Sequence, residues 1–546
     1  MWKFVPCLVL APVAAMAQYA GSMLSDSVSG AVTDAETGAP LWGRTVTIRE
    51  IPLYARAGRA RTYTADTDAH GLFKLDKVPP GHYSASVKGD DLASHAVPFD
   101  LIPGQNLTTL NFAVAISGTI SGRVTDQSGK PVPGAAVLLI TKTYQNGKPR
   151  YGQKVRAVTD SDGRYSLADS STSGPYKVMV KAASGEIPAI SIAPEDPAKR
   201  SKVLIPTYYP SALFADGAES VSLHSAQKLE GIDLKAAWGP QYCAEGIMKG
   251  EGQPGSLDFE INEPEVRQGG LQTDPAALPT HGKSASDGKF RICGLHTGEY
   301  RLVVSRGAAA GPPILYSSLP LVIDNRDTKN LEVDARRSET ISGEVVWEKD
   351  APAQRVDASI GINLVPLDRG PFPGTAQSSI PGQFALRTQA RDEYAVLISG
   401  MPPGLYAKDV TYGGVSVLHS TLSLATPSGD GKLRVVVARD GGSVSARVTD
   451  WEGKAVPSAT LWIVPSITGT AAELEAVLIS GTADANGAYG SPTLPPGKYR
   501  VFATTIRLER TAENIERLTN VRFQGAEVEI GSSGGKQVIL QPITVF

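Results

Sequence analysis

Residues 120–140 read ISGRVTDQSGKPVPGAAVLLI and residues 158–180 read VTDSDGRYSLADSSTSGPYKVMV. Apolar residues alternate with polar ones in short runs, as in Tyr176, Val178 and Val180, and Asp, Gly and Pro punctuate the runs. A period of two bounded by turn formers predicts short, half-buried strands. Two steps of this stretch recur along the chain. The first is Gly-x-aromatic: Gly71-Leu72-Phe73, Gly163-Arg164-Tyr165, Gly288-Lys289-Phe290, Gly382-Gln383-Phe384 and Gly487-Ala488-Tyr489. The second is Gly-x-Tyr: Gly81-His82-Tyr83, Gly174-Pro175-Tyr176, Gly298-Glu299-Tyr300, Gly404-Leu405-Tyr406 and Gly497-Lys498-Tyr499. The two glycines are 10, 11, 10, 22 and 10 residues apart, so five copies of one unit are expected, the fourth with an insertion.

A third marker opens each unit: Val28-Ser29-Gly30, Ile120-Ser121-Gly122, Ala244-Glu245-Gly246, Ile341-Ser342-Gly343 and Val444-Ser445-Ala446, the last without its glycine. Pro80-Gly81, Pro403-Gly404 and Pro496-Gly497 suit the centre of a type II turn, where proline presets φ and glycine supplies a positive one. The recurrent tyrosines Tyr83, Tyr176, Tyr300, Tyr406 and Tyr499 are predicted to bury their rings and to give their hydroxyls to nearby backbone groups.

The whole chain agrees with this reading. It has 546 residues, 41% hydrophobic, with 56 Gly and 39 Pro, enough for several packed cores and too long for one. With 53 Lys+Arg against 55 Asp+Glu and no long run of one sign, it carries no electrostatic footprint for nucleic acid or an anionic membrane. At the N-terminus, Lys3, an apolar stretch from Phe4 and Ala15-Met16-Ala17 read as a signal peptide over residues 1–17, cleaved before Gln18. The stretch is broken by Pro6 and Pro12 and is shorter than the roughly 20 residues of a spanning helix. Cys243 and Cys293 then remain in the mature chain, and an exported pair is expected to form a disulfide. They are not spaced C-x-x-C and bring no further zinc ligands.

The run I-S-G-x-V-x-D, G-x-P-V-x-G-A-x-V, T-D-x-x-G-x-[FY]-x-L and P-P-G-x-Y-x-x-x-V resembles the carboxypeptidase regulatory-like domain, a relative of the transthyretin-like and Cna B-type modules. The resemblance is strong in the first, second and fifth units and partial in the third and fourth. It implies an all-β chain, a tandem array of about five Greek-key (transthyretin-like/Ig-like) β-sandwiches. The expected boundaries are 26–116, 117–237, 238–337, 338–440 with the insertion, and 441–546. Short linkers predict a semi-rigid string, longer than it is wide. In metallocarboxypeptidases this module accompanies a separate zinc hydrolase domain, and no residues remain here to build one.

Candidates for chemistry are few. Asp66-Thr67-Asp68, Asp160-Ser161-Asp162-Gly163, Asp287-Gly288 and Asp484-Ala485-Asn486-Gly487 echo the start of a calcium loop, but none continues as an EF-hand, and each suits a tight turn before its Gly-x-aromatic strand. Gly531-Ser532-Ser533-Gly534-Gly535 lacks the strand-to-helix setting of a nucleophile elbow. Gly282-Lys283-Ser284 lacks the leading glycine of a phosphate loop. The seven histidines do not cluster in sequence. The resemblance to Cna B-type adhesins raises an isopeptide, for which Asp76 is the sole candidate acid. Tyr208, Tyr209, Trp238 and Tyr242 could stack on sugar rings or pack a joint between units.

The sequence therefore predicts a non-catalytic, exported, secreted or periplasmic modular protein of the cell envelope: a scaffold, adhesin-like or ligand-binding protein. The alternatives are a carbohydrate-binding accessory protein or an envelope component associated with an outer-membrane transporter. No catalytic residue, metal or cofactor is assigned. The partner stays open between a glycan and an envelope protein, with nucleic acid excluded and no transmembrane segment in the mature chain.

Overall fold

The computed structural model describes residues 27–543, apart from 52–59, 90, 94–95, 146–147, 170–174, 184, 263–266, 269–279, 308–314, 338, 349–355, 367–373, 389–392, 425–430, 467–468, 506–507 and 533. The expected signal peptide and Ser533 lie outside the described residues. In the first sandwich, Ser27–Asp34 runs antiparallel to Leu72–Asp76 and parallel to Asn106–Leu107 and Phe112–Ile116. The facing sheet is ordered Thr62–Asp66, Thr45–Glu50, Gly81–Lys88, Val97–Leu101, all antiparallel. Alternate residues of both sheets, among them Val28, Val32, Ile48, Tyr83 and Phe112, meet in one core. The second and fifth sandwiches repeat this order. In the third, Leu315–Ile323 pairs with both Gly298–Arg306 and Thr328–Arg337, so its two sheets run into one. The chain is a tandem array of β-sandwiches, each with its own core.

Glycines at two recurrent positions are fixed by backbone contact. Gly71, Gly163, Gly288 and Gly487 take φ of 73°, 73°, 79° and 72°. A Cβ there would lie 2.6, 2.5, 2.3 and 2.4 Å from the carbonyl oxygens of Val32, Val124, Met248 and Val448. The same four residues donate their N–H groups to the glycine carbonyls at 2.8, 2.7, 2.8 and 2.7 Å. A side chain is therefore excluded twice, by dihedral and by space.

The opening glycines Gly30, Gly122 and Gly246 face a β-bulge. A Cβ would meet the carbonyl oxygens of Leu110, Ile232 and Leu331 at 2.0, 2.1 and 2.0 Å. In the first sandwich Val28 pairs with Leu107 and Val32 with Phe112, so five residues of the last strand oppose four of the first, and the extra residue presses inward. In the fifth sandwich Ser443–Val448 pairs with Gly535–Leu540 without a break. The bulge is gone, and Ala446 fits where a glycine stood.

The proposed type II turns need correction. Gly81 has no positive φ, and Gly497 sits at 157°, as does Gly298 at the same place in the third unit, far from the roughly 80° the Pro80-Gly81 and Pro496-Gly497 turns require. Each is the first residue of its strand, where the backbone is extended. Gly404, at 82°, fits.

The fourth unit was also misaligned by its marker. Tyr406–Tyr412 pairs with Leu433–Ala438, in the sheet that holds the opening strand Glu339–Trp347. The strand equivalent to Gly81–Lys88 is Glu393–Ser399, which pairs with Val356–Pro366. Its buried Tyr394 opposes Pro366 as Tyr83 opposes Glu50 and Tyr499 opposes Pro465. Asp392 stands two positions before it, ten after Gly382. The spacing of the other copies is kept, and the glycine is lost.

The fifth sandwich carries two helices that the strand pattern hid, α1 (Ala471–Val477) and α2 (Ala512–Val521). Thr470 and Glu473 form a capping box on α1, and Thr511 caps α2. Leu474, Ile515 and Leu518 cover Trp462, Val464 and Phe502, on the face of the sheet opposite Leu461, Ile463 and Val501. That sheet is buried on both sides. The helices also touch the second sandwich, and Ala485 packs against the core of the first. The expected string is thus folded back on itself, because an apolar helical cap outside the repeat pattern gives the last unit a surface to dock.

Gly122→Ala is expected to lower the calorimetric transition containing the second sandwich by roughly 5–10 °C, through overpacking against an oxygen that cannot move aside. Ala446→Gly, at the equivalent place without the bulge, should move its transition by much less.

Candidate functional site

The recurrent tyrosines are where sequence reasoning concentrates, and all five rings are buried. The hydroxyl of Tyr83 donates to Pro79 O at 2.6 Å, that of Tyr499 to Pro495 O at 2.7 Å, and that of Tyr300 to His296 O at 3.1 Å. Each partner lies four residues upstream, so the tyrosine pins the turn that leads into its own strand. Tyr176 instead donates to Asp169 Oδ2 at 2.6 Å, and Tyr406, in its different strand, to Asp440 Oδ1 at 2.7 Å. Burial pushes Tyr499 up to about 12, and burial with the Asp440 bond raises Tyr406 further. These hydroxyls stay protonated at neutral pH and act as donors.

The turns before the Gly-x-aromatic strands use their carboxylates in the same local way. Asp68 Oδ1 accepts from the amides of His70 and Leu72, Asp160 Oδ1 from those of Asp162 and Arg164, and Asp484 Oδ1 from those of Asn486 and Ala488. The residue just before this aspartate is a further structural group that the sequence reading passed over. Thr67 donates to Leu41 O at 2.6 Å and accepts from Arg44 N, while Thr159 donates to Val132 O at 2.7 Å and accepts from Ala135 N. Ser284, at the same place four before its glycine but followed by Ala285, does the same with Gly255 O and Leu257 N. Its signal was legible as the hydroxyl residue repeated at one place in three units.

The four candidate sugar-stacking aromatics do not form a platform. Tyr208 is 1% exposed and lies with Leu138, Ile140 and Met179 under the outer face of the second sandwich. Tyr242 is 6% exposed in the third core, and Tyr209 is half-buried against the second. Trp238, at 38%, is the exposed member, on the short strand Ala237–Gly239 paired with Val203–Ile205. Apolar packing claims the other three.

The remaining polar candidates are dispersed. His82 pairs with Asp100 at 2.5 Å on the surface, and His224 with Glu36 at the joint of the first two sandwiches. Ser225 there bonds Asp34, and burial of that carboxyl is outweighed by its bonds from Ser225, Thr37 and Glu36, which hold it below the usual range. Asp76, the candidate isopeptide acid, is exposed and paired with Lys74. Among the described residues no group of three or more His, Cys, Asp or Glu could hold a metal ion.

The best-built polar cluster lies between the second and third sandwiches. Cys243 and Cys293 face each other on neighbouring antiparallel strands, Cα atoms 4.1 Å apart, and are disulfide-bonded. Arg200, its side chain fully buried, makes a bidentate pair with Asp327 at 2.6 and 2.7 Å and donates to the carbonyls of Pro194 and Glu195. Asp327 also accepts from Cys243 N at 2.9 Å. The Arg200 bonds hold the Asp327 carboxyl below its ordinary value of 3.8, against the opposing effect of burial. Every donor and acceptor of the cluster named here is matched within the chain, so it is a joint.

Residues 27–115 and 119–199 match the model of the carboxypeptidase regulatory-like domain. These segments cover the first sandwich and the first part of the second. No curated protein matches the chain. Among solved structures it is similar to the Bacillus anthracis TIE protein, with 11% identity over 79% of this chain and 75% of that one, at a TM-score of 0.16. It is similar to the full-length major pilin RrgB of Streptococcus pneumoniae, with 10% identity over 95% and 93% and a TM-score of 0.17. Two B repeat units of the collagen-binding protein of Staphylococcus aureus match with 12% identity over 72% and 94% and a TM-score of 0.14.

Three outcomes check this site. Tyr83→Phe should cost about 1 kcal/mol in denaturant unfolding, whereas Tyr176→Phe, which removes a donor from the buried Asp169 carboxylate and leaves it Lys154, should cost roughly 1.5–3. Arg200→Ala should cost about 3 kcal/mol by leaving Asp327 uncompensated. Because the folded-state value of Asp327 is depressed, its contribution is complete above its unfolded value of 3.8 and disappears as pH falls through the folded one. Melting curves of the wild type should therefore drop below about pH 4, and Asp327→Asn should flatten that part of the drop.

Proposed function

We propose that this chain is an exported, non-catalytic modular protein of the cell envelope, an adhesin-like scaffold whose sandwiches hold binding surfaces apart. The observation that carries the reading is where the recurrent chemistry goes: repeated Tyr, Asp, Thr and Gly residues end in bonds to their own backbone or in cores. Residues that recur in several units for architecture are not available to act on a substrate. The bonded Cys243 and Cys293 support an oxidising compartment, where such bridges persist. Among the described residues no helix is long and apolar enough to cross a membrane. The burial of Tyr208 and Tyr242 favours a protein partner over a sugar-stacking role.

Fractionation of the native cells followed by thiol alkylation and mass spectrometry tests the proposal. The expected result is protein in the secreted or periplasmic fraction with Cys243 and Cys293 linked. Cytoplasmic protein with both thiols alkylated would overturn it. So would turnover of peptide or ester substrates that His82→Ala or Ser533→Ala abolishes.

A further inference from the structure

The fold-back of the array rests on two small contacts: Ala485 of the fifth sandwich packs against the core of the first, where Thr109 Oγ1 donates to Ala485 O at 3.5 Å, and the helical cap meets the second sandwich. The hairpin of the second sandwich is formed by Ala136–Gln145 and Lys148–Val158, longer than the first sandwich's Thr45–Glu50 and Thr62–Asp66. On it, Thr143 makes a β-bridge with Thr511, the residue that caps α2. Tyr144 packs on the apolar cluster under the helices, and its hydroxyl reaches Glu516 of α2 at 3.4 Å, 372 positions along the chain. Lys154 links the two units by charge, bonding Asp169 of its own sandwich at 3.1 Å and Glu509 of the fifth at 2.7 Å. Burial works against the charge on Lys154, but Asp169, Tyr176 and Glu509 together raise its pKa, so it stays cationic.

Both sides are complete without each other. Among the described residues, every fully buried member of the helical cluster, from Trp462 to Leu518, belongs to the fifth sandwich, and the second contributes only the half-buried Tyr144. An interface of one ring, one bridge and one three-membered charge group, with the Ala485 contact to the first sandwich beside it, is of the separable, inter-domain kind. From this geometry we infer that the helical cap of the fifth sandwich is a clasp. It docks on the second sandwich's hairpin and closes the array, and its release leaves the single Ala485 contact to the first sandwich, too little to hold the array closed, so that the chain extends without unfolding either unit. The occupant of this surface is a segment of the same chain. The inference stands apart from the proposed function, since an enzyme or a binding protein could equally be closed in this way.

Small-angle scattering of the full chain provides the test. A compact body of this length has a radius of gyration of about 24 Å, and five sandwiches in line would have roughly twice that. The closed array should fall nearer the first figure. Tyr144→Asp with Glu509→Lys should raise it by at least about a third while far-UV circular dichroism and the calorimetric transitions stay as in the wild type. In a Cys7→Ser background, Thr143→Cys with Thr511→Cys should oxidise within one chain, since bridge partners lie within disulfide reach. A wild type already extended, a double variant as compact as the wild type, or a 143–511 link formed solely between two chains would each overturn the clasp.

Discussion

The constraint on which the rest depends is the close approach of two backbones at the glycine that follows each Asp-containing turn. Val32, Val124, Met248 and Val448 each exchange contacts with a glycine whose absent Cβ leaves room for a carbonyl oxygen. This crossing fixes where the opening strand meets the Gly-x-aromatic strand, and so sets the register that turns Phe73, Tyr165 and Phe290 into the core. Without it the alternation of inward and outward residues would have no anchor. The bulge against Gly30, Gly122 and Gly246 fixes the other flank of the same strand.

Much of this was legible because glycine and tyrosine are read by position. A residue that must lack a side chain leaves the same letter in every copy, and five copies expose it. Where the physics changed, the letters misled. In the fourth unit the turn before Gly382 is replaced by an in-register pairing of Gly382 with Val345, and the second glycine became Asp392, so the marker slid to Gly404. Tyr394 has the place that spacing alone would have given it.

The two helices were illegible for a different reason. They lie outside the repeated pattern, and their fully buried large apolar residues are few: Leu474 on α1, Ile515 and Leu518 on α2. Short helices draw their stability from packing rather than propensity, and here the packing surface is the outer face of a sheet whose Trp462 and Phe502 read as ordinary strand residues. Of the two readings open for the candidate aromatics, packing applies to Tyr208 and Tyr242. Tyr208 and Tyr242 have the composition of a sugar platform, but cores of neighbouring layers took them first. What the sequence reading located well was the pair Cys243 and Cys293, because two thiols in an exported chain leave few choices.

The central claim, that the recurrent residues form the framework itself, is tested most directly by hydrogen–deuterium exchange of the purified full chain read by mass spectrometry. The amides of Val32, Val124, Met248 and Val448, which bond to the turn glycines, should be among the slowest to exchange in their sandwiches. If, for two or more of the four, the peptide carrying that amide exchanged as fast as surface loops, the crossing would not be the anchor described here, and the account would fail.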